Sequence, residues 1–176
     1  MGNSRTCRRQ DQSRSTAWNT DTKICKISGP TLCDSSNAPV TLDPNTSHPD
    51  LILSEDLTSV RCSYERQQLP DNPERFDTYF CVLSSEGFTS RKHCWDVELG
   101  SNTYWFLGVT KESSQRKGSI PLNPEAGYWV IALEGGDQYR AGTSPETRLT
   151  VEKKPQKIRV QQDCDGGRWH SLTPVI

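Results

Sequence analysis

From His93 onward the large apolar residues fall at Trp95, Val97 and Leu99, with Asp96 and Glu98 between them, which is the two-residue period of a half-buried strand. Gly100-Ser101-Asn102 supplies turn residues. Tyr104 to Val109 is then a denser apolar run with Gly108 inside it, the pattern of a strand buried on both faces or approached closely by another backbone. Read locally, these two runs form a β-hairpin, and the stretch 80–110 that holds them organises the chain. Upstream, Val40-Thr41-Leu42 and Leu51-Ile52-Leu53 flank a turn rich in Pro, Asn and Ser, and Thr58, Val60, Cys62 and Tyr64 form an inward-facing alternate set. Downstream, Tyr128 to Leu133 reads as a buried strand that turns at Gly135-Gly136-Asp137 into Gln138-Tyr139-Arg140-Ala141. Thr147 to Val151 and Lys157 to Gln161 alternate again. Residues 65–78 show no period and carry Pro70 and Pro73, so they form a stiffened loop, and 111–118 is a polar connection. No amphipathic helix follows residue 40. Strands separated by turns at this spacing predict an all-β, antiparallel β-sandwich.

Composition narrows the picture. A chain of 176 residues suggests one domain, with only 32% hydrophobic residues and 11 prolines and 12 glycines punctuating short segments. The 21 basic and 22 acidic residues leave a net charge of -1, which provides no field to draw in nucleic acid. No apolar run is long enough for a transmembrane helix and the N-terminus lacks a secretory signal, so a soluble, cytoplasmic protein is expected. Seven cysteines show no zinc-knuckle spacing, so no metal is expected; Cys62, Cys81 and Cys94 fall in strand-like runs as small buried hydrophobes. Residues 1–39 are polar and aperiodic, and are expected to be disordered. Their one specific feature is Met1-Gly2-Asn3-Ser4-Arg5-Thr6-Cys7, which fits a myristoylation pattern at Gly2 with a second acylation candidate at Cys7; an unstructured start is the preferred reading, with at most a weak lipid anchor.

Catalytic chemistry finds little support. A nucleophile needs a base within reach, yet His93 and Cys94, the one His-Cys neighbour pair, point to opposite faces of a strand. His48 lies in a proline-bounded turn that suits a side-chain-to-backbone hydrogen bond. Gly135-Gly136 and Gly166-Gly167 have neither a following helix nor a Lys-Ser pair, so they are turns rather than phosphate cradles. No enzyme activity, catalytic residue or cofactor is expected.

The residues resemble a known family. Val40-Thr41-Leu42-Asp43-Pro44 through His48-Pro49, with Leu51 to Asp56 and Val60-Arg61, is similar to the PRY signature. Glu86-Gly87-Phe88-Thr89-Ser90 with His93, Trp95-Asp96-Val97-Glu98 and Leu107-Gly108-Val109 resembles the first SPRY block, and Arg116-Lys117-Gly118 with Pro124 to Trp129 the second. The chain thus resembles the PRY-SPRY domain of tripartite-motif ubiquitin ligases, butyrophilins and fish immune receptors, over residues 40–163, with PRY at about 40–90 and SPRY at about 91–163. The resemblance implies a concanavalin-like jelly-roll sandwich. After Val160 the sequence departs from the family, so 164–176 is expected to be a divergent tail and the sandwich to lack its last strands.

The resemblance also implies a protein- or peptide-binding module in innate-immune or ubiquitin-ligase-associated signalling. Carried to this chain, its surface involves Tyr104, Phe106, Ala132, Glu134, Asp137 and Tyr139, with Ala132 and Glu134 where some relatives place tryptophans. Trp95, Trp105 and Trp129 sit in the regular strand pattern and are expected in the core. Two alternatives follow from the same resemblance: a phosphometabolite sensor using Arg91, Lys92 and His93, or a truncated or decoy product without a function of its own.

Overall fold

The computed structural model describes residues 13–19, 25–28, 40–63, 65–165 and 168–175, with 13–19, 25–28 and 168–175 described through their backbone pairing. The strands are β1 (Ser13–Asn19), β2 (Cys25–Ser28), β3 (Leu51–Leu53), β4 (Ser59–Cys62), β5 (Cys81–Leu83), β6 (Lys92–Glu98), β7 (Trp105–Lys111), β8 (Tyr128–Glu134), β9 (Gln138–Ala141), β10 (Thr147–Leu149), β11 (Lys157–Asp163) and β12 (Arg168–Val175). A first sheet runs β10-β9-β8-β7-β1-β5 and a second runs β12-β11-β6-β2-β4-β3. The pairings within both are antiparallel. The expected all-β antiparallel sandwich is therefore the fold.

Alternation places the core between the sheets. Trp95 and Val97 of β6, with Ile158 and Val160 of β11, meet Trp105, Leu107 and Val109 of β7 and Leu133 of β8 in one buried cluster. Each such side chain contributes about 1.5–3 kcal/mol on leaving water. Trp95 and Trp105 are fully buried and Trp129 packs partly buried against them, as the strand pattern predicts. Cys62, Cys81 and Cys94 are buried too.

Three local expectations fail. The runs 93–99 and 104–109 do not form a hairpin: β6 pairs with β11 and β2 in the second sheet, whereas β7 pairs with β1 and β8 in the first. The turn residues after Leu99 carry the chain across the sandwich, so the two apolar sets meet through the core rather than along a ladder. The N-terminal segment expected to be disordered contains β1 and β2, each seated between two other strands. Ladder hydrogen bonds are made by the backbone, so a polar segment without apolar periodicity can still occupy such a slot. Likewise β12, within the segment expected as a divergent tail, pairs with β11 from Lys157↔Val175 onward. The hairpin at 135–137 forms as read, with Glu134 opposite Gln138 and both glycines at positive φ.

Two loops cover part of the first sheet's outer face. Phe76 from the 65–78 loop and Ile120 from the 112–127 connection bury Cys81, Leu83, Tyr128 and Val130. Arg75, itself buried, donates to the carbonyls of Pro44 (2.9 Å), Ser47 (2.6 Å) and Pro70 (3.0 Å), fixing the first loop to the 42–49 turn. The loops are joined by Lys117–Asp71 (2.5 Å), by Arg116 with Glu74, and by the Gly118 N–H on Asp77 Oδ1 (2.8 Å). Tyr128 Oη donates to Gln115 O (2.6 Å) and Tyr79 Oη to Ile120 O (3.0 Å), so the aromatic hydroxyls under the loops are satisfied. Where Gly142 passes this cover, an added Cβ would lie 2.1 Å from Leu122 O, an approach open only to glycine.

Candidate functional site at the open end of the first sheet

The loops stop short of the far end of the same face. Register decides which residues share it: Phe106 lies opposite Ala132, Ala132 opposite Arg140, and Arg140 opposite Arg148, a row across β7, β8, β9 and β10. Directly opposed residues project on the same side of a sheet. Trp105, Leu107, Leu133 and Tyr139 project the other way, into the core. Phe106 closes the covered cluster, Ala132 is buried in the middle of the row, and Arg140 and Arg148 form its basic end. Arg140 is held between Glu134 (3.4 Å) and Glu146 (3.0 Å). Gln138, Arg140, Glu146 and Arg148 line a recess of about 260 Å³.

Tyr104 enters through the loops. The Gly136 N–H donates to Thr103 O (2.9 Å), which holds the β8–β9 turn against the start of β7. Tyr104 is among the few exposed large apolar residues, and its ring meets Phe106 edge-on at 6.4 Å. Asp137 is exposed at the turn and Glu134 half-buried beside it. The structure therefore brings Tyr104, Phe106 and Glu134 to one face, with Ala132 buried between them and Asp137 exposed at the adjoining turn.

Tyr139 does not belong there. It faces the core, packs edge-on against Trp105 at 6.2 Å, and its hydroxyl, buried without a hydrogen-bond partner among the described residues, has its pKa raised by burial. The reason is the two-residue period: with Ala132 and Glu134 outward, Arg140 and Gln138 share their face and Tyr139 cannot. The sequence pattern does not single out Arg140 or Arg148, because each looks like an ordinary solvated strand residue until the register aligns it with Ala132.

The other candidates disperse. Lys92 pairs with Asp163 (3.2 Å), His93 stacks on Phe88 at 4.0 Å and hydrogen-bonds Ser90 O (2.8 Å), and the Arg91 carbonyl accepts from the Cys164 N–H, so two of the three basic side chains are engaged by neighbours of their own. His48 is buried. Its Nδ1 accepts from the Asp50 N–H (3.0 Å) and its Nε2 faces Asp77 O (3.1 Å), which fits the neutral Nε2–H form; burial holds its pKa below 6.5. Gly2 and Cys7 lie outside the described residues. Among the described residues no cluster of three His, Cys, Asp or Glu is placed to hold a metal ion, and no helix is long and apolar enough to cross a membrane.

Comparison with known proteins identifies the domain. The model of the SPRY-associated domain, PRY, matches residues 40–88, and that of the SPRY domain matches 92–169. The chain belongs to the PRY-SPRY family. Its PRY-SPRY region is 49% identical over 133 residues to nuclear factor 7, ovary, of Xenopus laevis, covering 76% of this chain and 22% of that protein. It is 46% identical over 130 residues to butyrophilin subfamily 2 member A2 of Mus musculus, covering 74% and 25%. With zinc finger protein RFP of Homo sapiens it shares 45% over 128 residues, covering 73% and 25%. The chain thus spans about a quarter of the length of these relatives. Among solved structures, that of stonustoxin superposes with a TM-score of 0.62 at 26% identity, covering 78% of this chain and 22% of that one. The PRY-SPRY matches begin at residue 40, so β1 and β2 lie outside both family models.

Proposed function

We propose that this chain is a non-enzymatic protein-interaction module that binds a protein or peptide partner through the open end of the first sheet, using Tyr104, Phe106, Ala132, Glu134 and Asp137 together with Arg140. One observation carries the reading: the loops that seal the outer face over Cys81, Leu83, Tyr128 and Val130 stop at Phe106, and beyond the buried Ala132 the half-buried Arg140 and the exposed Arg148 lie open on the same face as an exposed tyrosine. A shallow surface with an aromatic anchor, small residues and a charged rim suits a polypeptide. Family membership supports binding rather than catalysis, and the resemblance to tripartite-motif and butyrophilin proteins supports a role in ubiquitin-ligase-associated or innate-immune signalling in the cytoplasm.

The test is hydrogen–deuterium exchange of the full chain with a peptide selected from a random library. Protection confined to 104–106 and 132–140 is the expected result. Protection confined to the 65–78 loop or to the second sheet would overturn the assignment of the surface.

A further inference from the structure

We propose that the basic end of this face seats a carboxylate side chain of an extended partner segment, with Arg148 as its ligand, so that the module selects a single acidic residue at a fixed place in its target. The inference rests on the reading of the face given above and adds the chemistry of what it takes. Arg148 lies directly opposite Arg140 across β9 and β10. Like charges opposed in this way repel and destabilise the pair. Arg140 is compensated by Glu134 and Glu146, whereas Arg148 is exposed and no carboxylate among the described residues pairs with it. A partner carboxylate would relieve the repulsion and complete the alternation of charge along the face.

The surroundings define the group that fits. The recess beside Arg148 is about 260 Å³, enough for an Asp or Glu side chain, and Gln138 adds an amide donor to its wall. A guanidinium grips a planar carboxylate with two parallel hydrogen bonds. Glu146 in the same wall, with Glu134 and Asp137 further along, opposes a more highly charged phosphate or a polyacidic run. The segment is extended because β10 ends the first sheet: it pairs with β9 on one side and carries no ladder partner among the described strands on the other. An edge strand of this kind accepts another strand through its backbone groups, while neighbouring side chains set the specificity.

The experiment pans a phage-displayed library of random dodecapeptides against the full chain. The best binder is then titrated against the parent protein and the variants Arg148→Ala, Arg148→Glu, Arg148→Lys and Tyr104→Ala, with melting curves to show that each folds. Selected peptides should share one Asp or Glu, and Arg148→Ala should weaken binding about tenfold. Arg148→Glu should weaken it further, Arg148→Lys should fall between, and replacing the peptide's acid by its amide should cost nothing more once Arg148 is gone. Peptides without a shared acid, or an affinity unchanged in Arg148→Ala while Tyr104→Ala weakens it, would overturn the carboxylate site and leave the binding face standing. Failure to select any peptide, or binding indifferent to both positions, would overturn the face as well.

Discussion

The two halves of the first sheet's outer face share strand β8 yet behave as different surfaces. At one end Phe76 and Ile120 cap Cys81, Leu83, Tyr128 and Val130 under loops fastened by buried Arg75 and by the Arg116 and Lys117 ion pairs. At the other end β7 and β8 place Phe106 and Glu134, with Ala132 buried between them, beside a rim of arginine and carboxylate. What differs is the cover. Strand alternation offers an outer face along the whole sheet, and loop residues decide which part becomes a second core and which stays available for recognition.

Removing the cover should have the largest effect. Phe76→Ala empties a fully buried site, and a loss of about 3–5 kcal/mol is expected, read as a fall in the midpoint of urea unfolding. Gly142→Ala drives a methyl against Leu122 O, and against Val130 Cγ2 at 2.7 Å, for a cost of about 1–3 kcal/mol by the same measurement. Tyr128→Phe removes the hydroxyl bonded to Gln115 O and should cost about 1 kcal/mol, with hydrogen exchange rising in the 112–118 connection.

A smaller effect concerns the 42–49 turn beneath the cover. His48 has a folded pKa below 6.5, so as the pH falls through 6.5 the unfolded chain takes up a proton that the fold resists, and stability falls until the pH drops below the folded value. The melting temperature should therefore decline as the pH falls from about 7.5 through 6.5, and more steeply than in His48→Gln. At the open end, Tyr104→Ala should cost no more than about 1 kcal/mol in urea unfolding, since the residue is 37% exposed and its ring meets Phe106 edge-on outside the core clusters. A large loss there would mean that the open end is part of the core, and the contrast between the halves would fail.

Much of this arrangement was legible in the chain, and the failures are instructive. The period at Trp95-Val97-Leu99 and at Trp105-Leu107-Val109 identified the buried side of β6 and β7, but not that they belong to opposite sheets, because a strand's alternation says which face is apolar and not what covers it. The family resemblance implies a binding face with Ala132, Glu134 and Tyr139 together, whereas the hairpin register puts Tyr139 opposite Leu133 and so on the core side. Arg148 gave no local sign, since its meaning comes from standing opposite Arg140.

The sequence by itself determined the all-β class, the family, the buried tryptophans and the inner and outer positions of most strands, all of which follow from side-chain period and turn chemistry within a few residues. Only the tertiary structure decided the rest: the sheet each strand joins, the seating of Ser13–Asn19 and Cys25–Ser28 within the two sheets, the pairing of Arg168–Val175 with β11, and the end of the outer face that is left open. These depend on backbone ladders and loop contacts between residues far apart in the chain, which leave no periodic trace in the segments they join.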